Sequence, residues 1–202
     1  MKKQVVVIHG AEAFDTYEDY LKFLKNIEIK SLDDIKESRG WKSSLGNRLG
    51  EEFEVVAPRM PNSFNAKYAE WKIWFDKIAP LLSSEVVLVG NSMGSIFLVK
   101  YLSENDLKSE IKSLHLAGTP FDAEGTNDTL VDFAITADFR NLEKQVSNIF
   151  FYQSKDDPAV PFANVEKYRK LLPNANYNIF EDRGHFRQEE FPELVENIRK
   201  FS

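Results

Sequence analysis

Hydrophobic positions in this chain fall into two kinds of stretch that take turns. Val5-Val6-Val7-Ile8 is a continuous β-branched run, the pattern of a strand buried on both faces of a parallel sheet. His9-Gly10 ends it. Tyr17, Tyr20, Leu21 and Leu24 then recur at helical spacing behind a Thr16/Asp19 capping box, and a second helix start is expected at Ser31 to Ile35. Trp41, Leu45 and Leu49 make one face of a further helix, stopped by Gly50. Glu52 to Ala57 reads as the second strand. Trp71, Trp74, Phe75, Ile78 and Leu82 form the next apolar helix face, with Pro80 ending or kinking it.

Val86-Val87-Leu88-Val89 is the third strand and leads through Gly90-Asn91-Ser92-Met93-Gly94 into the apolar segment Ile96 to Val99. Ile111 to Ala117 is a fourth strand, and the segment from Gly118 to Ser147 has no strong period. Ile149 to Tyr152 and Tyr177 to Phe180 are the fifth and sixth strands, with a helix marked by Val165, Tyr168 and Leu172 between them. A terminal helix carries Phe191, Leu194, Val195, Ile198 and Phe201, with Pro192 in its first turn. The alternation predicts one α/β domain over residues 1–202, a three-layer αβα sandwich around a mainly parallel six-stranded sheet.

The third strand changes the picture from fold to chemistry. A strand, a Gly-x-Ser-x-Gly turn and a helix make a nucleophile elbow, in which the serine sits on a strained turn with its hydroxyl exposed at the sheet edge. A serine hydroxyl needs a neighbouring base, and the base needs a carboxylate to hold its tautomer. In the order Ser, acid, His, the candidates are Ser92, Asp157 and His185, the last two just beyond the fifth and sixth strands. Asp156 and Asp122 compete with Asp157 on position, and Asp182 lies in the turn before the histidine. His115 falls inside a strand and reads as structural. The amides of Met93 and Ala11 are the expected oxyanion donors. His9, Phe121, Phe133 and Phe139 are candidate pocket residues.

Composition narrows the partners. Hydrophobic residues make up 43% and charged residues 29%, ordinary for a globular domain. A formal charge of -6 argues against a nucleic-acid backbone as partner. No apolar run approaches the ~18 residues of a membrane span, and the N-terminal run is too short for a signal-peptide core, so a cytoplasmic location is expected. With no Cys and 3 His, neither a metal nor another cofactor is expected.

Together these elements resemble the α/β-hydrolase superfamily and, within it, the small serine hydrolases related to retinoblastoma-binding protein 9. The resemblance rests on the early first strand, Met60-Pro61, Gly90-Asn91-Ser92-Met93-Gly94, Asp156-Asp157-Pro158 with Val160-Pro161, and Gly184-His185-Phe186. It implies a six-stranded core lacking the first two strands of larger hydrolases, with the nucleophile after the third. It also implies that the second aspartate of Asp-Asp-Pro, Asp157, is the acid. The expected activity is hydrolysis of a small-molecule acyl ester. Peptidase, thioesterase and acyltransferase activities use the same parts, and a binding protein on a hydrolase fold is the rival from another class. The segment 12–40 is longer than the resemblance leads one to expect and is read as a lid-like insertion.

Overall fold

The computed structural model describes residues 2–32, 40–124, 129–135 and 138–202. Its six strands are β1 (Lys3–Ile8), β2 (Phe53–Val56), β3 (Glu85–Asn91), β4 (Glu110–Ala117), β5 (Ile149–Ser154) and β6 (Asn176–Phe180). They form one sheet in the order β2-β1-β3-β4-β5-β6, and every neighbouring pair is parallel. The chain steps outward from β1 to β2 and then returns to the other side of β1 for β3. That reversal puts the topological switch point at the carboxyl ends of β1 and β3, the place where open α/β sheets take their ligands.

The described residues form seven α-helices, all but the first packed on the sheet: α1 (Tyr17–Asn26), α2 (Trp41–Leu49), α3 (Tyr68–Ile78), α4 (Met93–Glu104), α5 (Arg140–Gln145), α6 (Ala163–Leu171) and α7 (Pro192–Lys200). Alternation along the strands sorts the core into two layers. Val6, Ile8, Leu88, Leu114 and Phe151 pack with α3, α4, α5 and α6 on one face. Val5, Val7, Val87, Val89, Phe150 and Tyr152 pack with α2 and α7 on the other. Because both faces are covered, α4 beneath the sheet is buried from Met93 to Ser103.

Most elements fall where the hydrophobic pattern puts them, and the exceptions have local causes. Trp41, Leu45 and Leu49 are the buried face of α2, and Gly50 closes it at φ 92°. The buried stripe of α3 runs through Tyr68, Trp71 and Phe75, which leaves Trp74 at its edge, 44% exposed. Helix α5 has no signature in the pattern because Leu142 is its one buried residue. Thr16 caps α1 as expected, accepting from the Asp19 amide at 3.1 Å, yet α1 buries none of its residues. It rests its aromatic side on Phe14, whose ring centroid lies 5.1 Å from that of Phe23. The helix start expected at residues 31–35 runs into 33–39, outside the described residues.

His115 lies wholly inside the sheet, as its strand position suggests. Its ring nitrogens pair with Tyr152 Oη and Ser113 Oγ at 2.9 Å each, and its ring stacks on Phe150. Burial pushes its pKa from 6.5 down to about 3, so it is neutral in the folded protein and charged in the unfolded chain between those values. The unfolded state binds the extra proton, so stability is lost as pH falls from 6.5 toward 3, by at most about 1.4 kcal/mol per pH unit. Urea titrations of wild type and His115→Gln at pH 4 to 7 are expected to give a flatter pH dependence in the variant. An unchanged slope would contradict this assignment.

Candidate active site

Ser92 stands at the first turn of α4, directly after β3, with φ 54° and ψ −121°. A residue with a β-carbon is strained there, and the surroundings hold it in place. Its amide donates to Ala117 O at 2.8 Å, and its carbonyl accepts from the Ser95 amide at 2.8 Å. The flanking glycines are required by close packing. A Cβ on Gly90 would come within 2.5 Å of Ser95 Cα. One on Gly94 would overlap the carbonyl oxygens of Ile8 and His9. Gly94→Ala therefore has to separate α4 from the end of β1. The expected loss is about 2 kcal/mol or more in chemical denaturation, at the upper end of overpacking effects; a loss below about 0.5 kcal/mol would contradict the close approach.

Asp157 is buried in the loop after β5. Its Oδ1 accepts from the amides of Ala159 and Val160 at 2.9 Å each, and its Oδ2 accepts from Gln153 Nε2 at 3.3 Å. His185 presents Nδ1 to this carboxylate, 2.9 Å from Oδ2 and 3.1 Å from Oδ1. With Nδ1 donating, Nε2 is left as the basic nitrogen. Gly118, at φ 55°, sits against the pair: a Cβ there would lie 3.0 Å from His185 Cε1 and 3.5 Å from Asp157 Oδ2. Gly118 follows Ala117, the acceptor for the Ser92 amide, so the end of β4 touches both the serine's turn and the histidine–aspartate pair. No Ser92–His185 hydrogen bond is formed among the described residues.

The competing acids have other attachments. Asp156 is exposed; its Oδ1 accepts from Ser154 Oγ at 2.5 Å and from the Gly184 amide at 2.9 Å. Those bonds, the Ser154 hydroxyl first, hold its carboxyl below the usual range. Asp156 thus anchors the turn that carries His185 without touching the ring. Asp122 pairs with Lys167 Nζ at 2.5 Å. The start of α2 braces the same turn: Trp41 Nε1 donates to Phe186 O at 3.0 Å and the Trp41 amide to Gln188 O at 2.8 Å.

The amides of Met93 and Ala11 donate to no protein acceptor among the described residues. The Met93 amide belongs to the first turn of α4, where helix donors lack partners. Gly10 brings the other loop close, since a Cβ on it would lie 3.2 Å from Ser92 Cβ. The expected pocket residues fare differently. His9 has both ring nitrogens engaged, Nε2 accepting from the Met60 amide at 2.9 Å and Nδ1 paired with Gly10 O at 2.8 Å. It ties the loop to Met60-Pro61, and burial, its largest influence, lowers its pKa. Phe133 is fully buried against Tyr68 and Trp71, and Phe139 is 6% exposed beside Tyr168, so both are core in place of pocket wall. A large ring in a segment without period is most often core, and these two are. Phe121 is half-buried on Tyr168. Gly118 and Gln153 carry no catalytic motif of their own; only the Gly118-Thr119-Pro120 turn offers a local signal in the sequence.

A strained serine after the third strand of a parallel sheet, beside a histidine held by a buried aspartate, is the arrangement of α/β-hydrolase proteins. Solved structures bear out the fold. The ydeN gene product from B. subtilis superposes with a TM-score of 0.72 at 18% identity, covering 99% of this chain and 98% of that one. An esterase, EaEST, from Exiguobacterium antarcticum gives a TM-score of 0.58 at 15% identity over 99% and 92% of the two chains. In sequence, the serine hydrolase RBBP9 of Rattus norvegicus is 24% identical over 147 residues, 73% of this chain and 77% of that protein. Residues 34–198 match the family described as Serine hydrolase, and the chain belongs to that family.

Proposed function

We propose that this protein hydrolyses a small-molecule acyl ester through Ser92, His185 and Asp157. The observation that carries the reading is the Asp157–His185 bond of 2.9 Å, made by a carboxylate that three other donors hold in place after β5 and packed against Gly118, which follows the Ala117 carbonyl that receives the Ser92 amide. His185 Nε2 takes the Ser92 proton as Oγ adds to the ester carbonyl. The imidazolium formed is stabilised by Asp157 and returns the proton to the departing alcohol. Water then repeats the sequence on the acyl-enzyme and frees the acid. Met93 and Ala11 amides receive the oxyanion; each such donor contributes roughly 10²- to 10³-fold in rate.

The ester assignment draws on the esterase among the structural neighbours and on a serine that stays partly exposed. No helix among the described residues is long and apolar enough to cross a membrane, and a cytoplasmic setting is part of this reading. Helix α1, a few residues beyond Ala11 with its apolar side partly open, serves as the lid. A 4-nitrophenyl ester series from acetate to decanoate tests both parts. Turnover is expected, and Phe23→Ser/Leu24→Ser in α1 is expected to shift the preferred chain length. No turnover of any ester would overturn the ester reading, and an unchanged length profile would overturn the lid.

A further inference from the structure

Lys42 opens α2 with no acidic neighbour in its first turn. Its Nζ donates to Asn91 Oδ1 at 2.7 Å, and no carboxylate pairs with it among the described residues. It is half-buried, and its charge acts on His9, while Arg187 acts on it. Each of these three neighbours lies one or two residues from a working group: His9 before Ala11, Asn91 before Ser92, Arg187 after His185. Lys42 therefore places its positive charge among the three segments that converge on the reacting centre.

The local hydrogen-bond balance is one-sided. Asn91 is 5% exposed, and its Nδ2 has no hydrogen-bond partner. The Lys42 ammonium donates to Asn91 Oδ1, while the NH2 of the same amide has no acceptor. Burial, and after it the nearby Arg187 charge, hold the Lys42 pKa below its ordinary value, as happens when a cation lacks a counter-charge. An anion beside Lys42 supplies the counter-charge it lacks among the described residues. Asp157, the carboxylate of the proposed reacting centre, is engaged with His185 and its own loop. Among the described residues no carboxylate pairs with Lys42, and an anionic ligand would supply the counter-charge.

We propose that Lys42, seconded by Arg187, forms an anion subsite beside Ser92 that recognises a carboxylate on the substrate. The preferred substrates are then carboxylate-bearing esters. This inference rests on the ester hydrolysis proposed above and is tested so that the two fail separately. The rate arm compares monoethyl glutarate with ethyl butyrate, and 4-acetoxybenzoate with phenyl acetate, so that the charge lies on the acyl or the leaving side. Wild type is expected to prefer the charged member of one pair by about tenfold in kcat/KM, a ratio that Lys42→Gln abolishes, chiefly through KM. Equal loss on charged and neutral esters would make Lys42 a positioning residue for Asn91 and overturn the subsite; so would a ratio that Lys42→Gln leaves unchanged.

The binding arm needs no turnover. Calorimetric titration with glutarate at fixed ionic strength is expected to show binding to wild type and at least tenfold weaker binding to Lys42→Gln. No binding to wild type, or equal binding to both, would overturn the proposal. Glutarate binding without turnover of any ester would retain the subsite and remove the ester reading. Turnover with neither charge preference nor binding would do the reverse.

Discussion

Ser92→Ala is expected to lower kcat for ester hydrolysis by about 10⁶-fold while leaving the fold intact. The size follows from losing the nucleophile outright, after which histidine and aspartate have nothing to activate. The Met93 and Ala11 amides still bind the carbonyl oxygen, so a residual ~10³-fold acceleration over water is expected to remain. Stability should change little for a structural reason. Alanine keeps the β-carbon that already tolerates φ 54°, and the bonds that hold the turn, Ser92 N to Ala117 O and Ser95 N to Ser92 O, are main-chain. Steady-state kinetics with thermal melts check both halves. Retained turnover in a folded Ser92→Ala protein would move the chemistry to another residue.

The second large effect separates two adjacent carboxylates. Asp157→Asn is expected to cost about 10⁴-fold in kcat. The amide would turn an NH2 group either toward His185, favouring the tautomer with its proton on Nε2, or toward the Ala159 and Val160 amides that now donate to Oδ1. Either outcome removes the base or disorders the loop that positions it. Asp156→Asn keeps an acceptor for the Ser154 hydroxyl and the Gly184 amide, so its cost is expected to stay within about tenfold. Comparable losses in the two variants, measured as kcat/KM on one ester, would contradict the division of labour between acid and turn anchor.

How much of this was legible in the sequence varies with how local the information is. Strands β1, β3 and β5 are continuous apolar runs because both sheet faces are covered, and such runs declare themselves without knowledge of the fold. The turn at Ser92 was legible because it demands glycine at two fixed places, where a side chain would meet the backbone of Ser95, Ile8 and His9. Asp157 and Asp156 were not separable on position alone. What distinguishes them is which one the loop at Ala159-Val160 turns inward, although resemblance pointed to the right residue of the two for contact with His185. The aromatic pocket was misread because Phe133 and Phe139 lie in a stretch without period, where burial depends on contacts with Tyr68, Trp71 and Tyr168 far away in sequence. Lys42 was invisible for a similar reason. On α2 it reads as a polar position of a surface helix, and its meaning comes from Asn91, His9 and Arg187, which three other segments deliver.

Ser92 as the activated nucleophile is the centre of the proposed chemistry. Treating the purified protein with a fluorophosphonate, followed by peptide mass spectrometry, tests it without assuming a substrate. The expected result is a single phosphonyl adduct on Ser92, absent from Ser92→Ala and slowed in Asp157→Asn. An adduct on a different serine such as Ser95, or no adduct on the folded protein, would contradict it.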